Sequence, residues 1–129
     1  MLSITRTVKK TPTISKELFL SIKNDILGKA YELNVAYIGG ARARSLNKTY
    51  RNKTYTPNIL SFPVDETLGE IFLCVPVLEV AAKKEQMSLK HYTLFIFIHG
   101  CLHLQGIDHG EKMEKLEDKY FKKYTSKKK

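Results

Sequence analysis

Three histidines within one short segment place the strongest constraint on how this chain can fold. They are His99, His103 and His109, and Gly106 lies between the second and the third. Residues four apart share a face of an α-helix, one turn from each other. His99 and His103 can therefore point at one place, while Gly106 can end the helix in a left-handed conformation and turn the chain back towards it. His109 can then reach the same place from a loop.

This spacing predicts a shared metal ion. Three neutral imidazoles with an open fourth coordination position are typical of a catalytic zinc site rather than a structural one. Packing in the core is the usual role of a single histidine, but three at this spacing favour a common ligand role. His91 precedes His99 by about 12 Å along the same helix, too far to join the site. Cys101 points to the other face, and we expect it to be a small core residue.

The segment also resembles the zinc-protease signature H-E-x-x-H-x-x-G-x-x-H. In those enzymes the glutamate acts as the general base. Gly100 stands in its place here. The sequence therefore predicts a zincin-like metal site and argues against ordinary peptide hydrolysis.

Length and composition predict one globular domain. The chain has 129 residues, of which 43% are apolar, enough for a core. The longest apolar run, residues 94–98, is too short to span a bilayer, and residues 1–12 lack the apolar region of a secretory signal. Cys74 and Cys101 cannot form a disulfide framework. We therefore expect a cytoplasmic protein, with no membrane partner and with residues 1–124 as its domain.

The net charge of +9 is unevenly distributed. Residues 1–64 carry eleven Lys/Arg and three Asp/Glu, whereas residues 65–121 carry six and ten. A basic half beside a metal-bearing half favours a polyanionic substrate such as a nucleic acid. Lysines that only keep the protein soluble are the alternative, and charge alone does not decide between the two. Residues 125–129 are expected to form a basic flexible tail.

Apolar periodicity predicts an α/β (α+β) fold with a small mixed sheet packed by helices. Helices are expected over residues 14–27, 41–50, 76–86, 89–105 and 111–123, and strands over 33–37, 58–62 and 70–75. Ser88 is expected to cap the fourth helix. Residues 92–98 are apolar on all sides, so this helix should be central and buried.

Three sequence blocks carry a resemblance to a known family. They are H-G-x-L-H-L-x-G-x-D-H at residues 99–109, Leu46-Asn47 and Tyr50-Arg51 followed by Asn-Ile-Leu-Ser-Phe-Pro at 58–63, and Gly69-Glu70-Ile71. In order and spacing they resemble the YbeY family of metal-dependent endoribonucleases, which mature bacterial ribosomal RNA. The resemblance covers about residues 31–124, and the first thirty residues match only in general character. Thr56-Pro57 departs from the usual Pro-Thr, and Gly110 replaces a common acidic residue.

The resemblance implies a role for each matching residue. His99, His103 and His109 correspond to the metal ligands, and His103 also counts among the catalytic residues. Arg51 corresponds to the catalytic arginine. A guanidinium in that position can stabilise the negative charge that builds on a phosphodiester during cleavage. Without the matching block, Arg51 would be interpreted as an ordinary surface residue at a helix end.

Other candidate residues have two interpretations each. Asp108 can orient a ligand histidine or cap the turn after Gly106. Ser61 can line the site or simply end a strand. Basic residues of the second helix are candidates for binding the RNA backbone, together with Ser61: they are Arg42, Arg44 and Lys48.

The resulting hypothesis is a single-strand-specific endoribonuclease that matures the 3′ end of small-subunit ribosomal RNA. It would use one zinc ion or another divalent transition metal. Its expected partners are ribosomal RNA and the small ribosomal subunit. Two alternatives stay open: a metalloprotease-like hydrolase of another substrate, and a non-catalytic ribosome-binding module that a metal stabilises. The sequence leaves the oligomeric state undetermined.

Overall fold

Strands and helices follow one another along residues 1–126, the part of the chain that a computed structural model describes. The strands are β1 (Leu2–Arg6), β2 (Glu32–Ile38), β3 (Ile59–Asp65) and β4 (Leu68–Cys74). The helices are α1 (Lys16–Leu27), α2 (Gly40–Arg51), α3 (Val75–Lys84), α4 (Leu89–Gln105) and α5 (Glu111–Thr125). Residues 127–129, most of the predicted tail, lie outside the described part of the chain.

The strands form one mixed sheet in the order β1-β2-β4-β3. The neighbours β1, β2 and β4 run parallel, and β3 runs antiparallel to β4 in a tight hairpin. The Thr67 amide donates to the Asp65 carboxylate over 2.8 Å and fixes the turn of that hairpin. The predicted α+β fold with a small mixed sheet is thus confirmed. β3 occupies an edge of the sheet, so within residues 1–126 its outer backbone groups have no neighbouring strand.

Three strand predictions need correction. β1 was not predicted, because only Leu2 and Ile4 mark it as apolar. Pro63 was expected to end its strand, but β3 continues to Asp65 with a register shift after the proline. Proline is tolerated there because an edge strand can lose a backbone donor. Val75 begins α3 rather than ending β4, because Pro76 fits the first turn of a helix.

Helix α4 has the predicted limits and the predicted central position. The Ser88 hydroxyl accepts from the His91 amide over 3.0 Å and caps its start. Gly106, with φ 105°, ends it, and its amide donates to the His103 carbonyl over 2.9 Å. Phe97 is fully buried against Phe19 of α1, with ring centroids 4.4 Å apart. Burial on several sides holds α4 rigidly, and with it any side chain on its exposed strip.

Helix α2 packs on the opposite face of the sheet, in a second and smaller apolar cluster. Ala43 and Leu46 meet Ile38, Phe72 and Cys74 there. Cys74 therefore lies in a different cluster from Cys101, and both cysteines are buried free thiols, as expected. No helix within residues 1–126 has both the length and the apolar character needed to cross a bilayer.

Candidate metal centre and its cleft

The imidazoles of His99, His103 and His109 meet at one point. Each ring offers one nitrogen, and these three nitrogens lie within 4.8 Å of one another. Ring centroids are 4.5 Å apart for His99 and His103, 5.2 Å for His99 and His109, and 4.7 Å for His103 and His109. Zinc binds imidazole nitrogens at about 2 Å each, so this cluster lies within reach of a single ion.

Local backbone structure explains how the three rings come together. His99 and His103 occupy successive turns on the half-buried strip of α4. Beyond Gly106 the chain crosses a short exposed loop to Gly110, which has φ 138° and precedes α5. Both glycines adopt backbone conformations that other residues enter only with strain. Gly106 turns the chain so that His109 lies over the end of α4, and Gly110 then leads into α5.

Gly100 lets α4 approach β3 unusually closely. A Cβ atom at this position would lie 2.7 Å from Ile59 Cδ1 and 2.9 Å from Ser61 Oγ. At these distances Ile59 and Ser61 would have to move before a side chain could fit. The position at which zinc proteases carry their glutamate is therefore packed against β3 in this fold. Because α4 and β3 lie close together here, Ser61 lines the same cleft as the histidines.

The environment of His103 favours its neutral form. Burial lowers the pKa of this imidazole, and the neighbouring His99 and His109 lower it further. The Asp108 carboxylate acts in the opposite direction. A neutral imidazole keeps the lone pair that a metal requires, so the chemistry of this donor set fits a divalent transition metal.

Glu117 of α5 is a site residue that the sequence analysis missed. Nδ1 of His99 donates a hydrogen bond to the carboxylate of Glu117, a residue that is 8% exposed as a whole. This contact occupies one ring nitrogen and leaves Nε2 for a ligand, an arrangement common around metal-bound histidines. A signal was present in the sequence. Glu117 follows Met113 by four residues and so lies on the apolar face of α5, where an acidic residue needs a partner.

Arg51 lines the same cleft as the three histidines. This cleft has a volume of about 580 Å³ and also includes Tyr55, Asn58 and Ser61 in its walls. Arg51 is the last residue of α2, and Asn52 ends that helix in a left-handed conformation with φ 56°. The arginine that the sequence analysis selected is therefore placed beside the histidine cluster, although α2 and α4 lie on opposite faces of the sheet.

Buried Asn47 fixes the loop that follows Arg51. Its side-chain amide nitrogen donates to the Tyr55 backbone carbonyl over 3.0 Å, and its backbone carbonyl accepts from the Lys53 amide over 3.2 Å. Pro57, at the reversed Thr-Pro pair, is buried and lines the cleft. The departure from the usual family sequence thus lies in the wall of the site.

The other predicted residues lie around the site rather than in it. Arg42 lines a separate cleft on the far side of β3, whereas Arg44 and Lys48 line a third one along α2. Asp108 is exposed and forms no hydrogen bond to an imidazole within residues 1–126. His91 packs against Phe121 at a centroid distance of 6.3 Å, away from the three histidines.

Comparisons with known proteins identify the family of this chain. The family model described as Endoribonuclease YbeY matches residues 4–125, so the match begins well before residue 31. The protein of that name from Pseudomonas putida (strain W619) is 41% identical over 99 residues, 67% of this chain and 63% of its own length. That of Aromatoleum aromaticum is 40% identical over 94 residues, 67% of this chain and 61% of its length. The aligned part therefore spans less than two thirds of these relatives.

A solved structure supports the fold independently. The solution structure of TM1509 from Thermotoga maritima superposes with a TM-score of 0.66. It shares 24% sequence identity, and the match covers 96% of this chain and 89% of that one. With the family match over nearly all described residues, the conclusion is direct: this chain belongs to the YbeY family.

Proposed function

We propose that this chain is a metal-dependent endoribonuclease that cleaves single-stranded regions of ribosomal RNA precursors. The observation that carries the proposal is the arrangement of Arg51 and the three histidines around one cleft of about 580 Å³. Its relatives bear the name endoribonuclease, which gives RNA as the substrate class. Action on the 3′ end of small-subunit RNA would make the small ribosomal subunit its partner and the cytoplasm its compartment.

The chemistry follows from the cleft's own side chains. A zinc ion, or another divalent transition metal, held by His99, His103 and His109 would supply Lewis-acid polarisation of a phosphate oxygen. The Arg51 guanidinium donates paired hydrogen bonds to the phosphate oxygens as negative charge builds on them. The Ser61 hydroxyl can donate to a further substrate oxygen.

Peptide hydrolysis by the same histidines has less support. The glutamate that zinc proteases use as a base is replaced by Gly100, and Ile59 and Ser61 pack against that position. The nearest buried carboxylate, Glu117, is engaged with His99 Nδ1.

The test is cleavage of a precursor ribosomal RNA fragment by variants purified without a histidine tag. His103→Ala is expected to lose both bound metal and cleavage. Arg51→Ala is expected to keep its metal and to cleave about 100-fold more slowly or worse. Arg6→Ala is the matched control, since Arg6 lies on β1 at the opposite edge of the sheet and should cleave normally.

Other outcomes would overturn parts of the proposal. Equal cleavage by the wild type and His103→Ala would identify a contaminating nuclease. Loss of metal from Arg51→Ala would mean that the role of this arginine is wrongly assigned. Metal-loaded wild type that cleaves no RNA but unfolds on chelation would favour a ribosome-binding module with a structural ion.

A further inference from the structure

A second cleft lies directly behind the first, on the other side of β3. It has a volume of about 510 Å³ and is lined by residues of α2, β3 and β4. Its walls include Tyr50, Phe62 and Phe72, together with Arg42 and Glu70. None of these residues has a role in the proposed cleavage chemistry.

Tyr50 presents an open aromatic ring at the mouth of this cleft. Its residue surface is 68% exposed, although the ring packs against Phe62 with centroids 5.6 Å apart and planes at 60°. Phe62 in turn packs against Phe72 at 5.9 Å. Phe62 therefore supports the Tyr50 ring on one side, while most of the Tyr50 surface is open to solvent. Such a surface suits a flat ligand, since every nucleobase has a face that stacks on aromatic side chains.

The charged groups of the cleft are better suited to bind the edge of a base than to bind a phosphate. Arg42 lies two turns before Tyr50 on α2 and offers donors, whereas Glu70 lies opposite Phe62 on β4 and offers acceptors. Neither side chain forms an ion pair within residues 1–126. A carboxylate repels a phosphate but can accept from a base amino group. In the cleft along α2, the charged lining residues are Arg44 and Lys48, both cations, so that cleft suits the phosphates instead.

Residues that are neighbours in the sequence line the two clefts. Arg51 lines the cleft with the histidines, and its neighbour Tyr50 lines the aromatic one. On β3, Ser61 lines the cleft with the histidines and its neighbour Phe62 lines the aromatic one, because successive strand residues point to opposite faces. Their Cα atoms are separated by only about 3.8 Å. Since β3 is an edge strand, an RNA strand can pass around it from one cleft to the other.

We propose that the aromatic cleft binds one unpaired nucleobase adjacent to the scissile phosphate, stacked on Tyr50. This inference rests on the proposed function, because it needs an RNA strand in the cleft that contains Arg51. It adds a reason for single-strand specificity. A base in a duplex is stacked and paired, and it would have to leave the helix to reach Tyr50.

The experiment combines protein and RNA substitutions. Affinities of short single-stranded RNAs, each with one abasic position, are measured by fluorescence anisotropy with metal-loaded Arg51→Ala protein, which should cleave too slowly to degrade the RNA during the measurement. One abasic position is expected to weaken binding by about tenfold. Adding Tyr50→Ala should weaken binding of intact RNA by a similar factor and remove the sensitivity to that position. Tyr50→Phe should behave like the parent protein, because stacking does not use the hydroxyl.

The outcomes separate this inference from the one on which it rests. If wild type cleaves RNA while Tyr50→Ala leaves affinity and the abasic profile unchanged, only the assignment of the aromatic cleft is wrong. Equal losses at every RNA position would mean that Tyr50 acts on the fold rather than on one base, which also overturns it. If wild type neither cleaves nor binds RNA, both proposals fail together.

Discussion

Nδ1 of His99 on α4 donates a hydrogen bond to the Glu117 carboxylate on α5, a contact between residues eighteen positions apart. Both side chains are largely buried, at 20% and 10% exposure. The bond fixes the tautomer and the orientation of a ring that lies in the histidine cluster. Glu117 is therefore a positioning residue. Its substitution should change the affinity for the metal rather than act directly on the cleavage step.

Glu117→Ala is expected to weaken zinc binding by about 10- to 100-fold, the usual cost of removing such a partner. Glu117→Gln should lose less, since its amide oxygen can still accept from Nδ1. Competition with a fluorescent chelator measures this directly. Glu114→Ala is the matched control, because Glu114 is exposed on the same helix. Equal affinities for Glu117→Ala and Glu114→Ala would contradict the positioning role.

Gly100→Ala is expected to destabilise the protein by about 1–3 kcal/mol, because the added methyl group overpacks the contact with Ile59 and Ser61. Urea unfolding with and without zinc is the measurement. Gly40→Ala in α2 provides the control, since its Cβ would meet Thr56 Cγ2 at an ordinary 3.8 Å. A Gly100→Ala protein as stable as Gly40→Ala would show that α4 and β3 can separate without cost.

Lys23→Met is expected to cost about 2 kcal/mol. Lys23 is fully buried, and its Nζ donates to Asn24 Oδ1 over 2.9 Å and to the Gly28 and Lys29 carbonyls over 3.0 and 3.2 Å. The methionine would leave the Lys29 carbonyl without its donor and the Gly28 carbonyl with only the Tyr31 amide, 3.3 Å away. Denaturant midpoints should separate this variant from Lys29→Met, which changes an exposed side chain. Similar midpoints would mean that water replaces the lysine.

Asp25 should contribute stability that depends on pH. The Lys123 ammonium and then the Tyr124 hydroxyl, each 2.6 Å from its carboxylate, hold the pKa of Asp25 below its ordinary value. The contribution, about 1 kcal/mol, is complete above about pH 4 and is lost as the pH falls through the lowered pKa. The free energy of unfolding of Asp25→Asn should therefore differ from wild type at pH 7 and converge with it in acid. A difference that persists in acid would assign the effect to shape rather than charge.

The sequence predicted best what depends on neighbours along the chain. The limits of α4 follow from Ser88 and Gly106, which act locally through hydrogen bonds within one turn. The meeting of the histidines needs only helix geometry and one glycine turn. Contacts between distant segments could not be derived in this way. The position of Arg51 beside the histidines was expected only because the chain resembles a family, and the partner of His99 was not expected at all.

The basic residues of α2 show a different limit. Arg42, Arg44 and Lys48 were predicted together as candidates for binding the RNA backbone, but the structure divides them between two clefts. Residues two apart on a helix point about 200° apart, whereas residues four apart share a face. The pairing of Arg44 with Lys48 could therefore have been predicted, and so could the separation of Arg42. Which cleft each would face depends on the sheet beneath.

His109 stands on an exposed loop between two glycines, while its two companions stand on a rigid helix. An ion bound by all three would cross-link the loop before α5 to the end of α4. Ordering that loop would reduce the net free energy of metal binding. The affinity for the metal and the stability of the packed α4–α5 pair would then be thermodynamically coupled. Lengthening the loop by a few residues would weaken both while leaving every ligand in place.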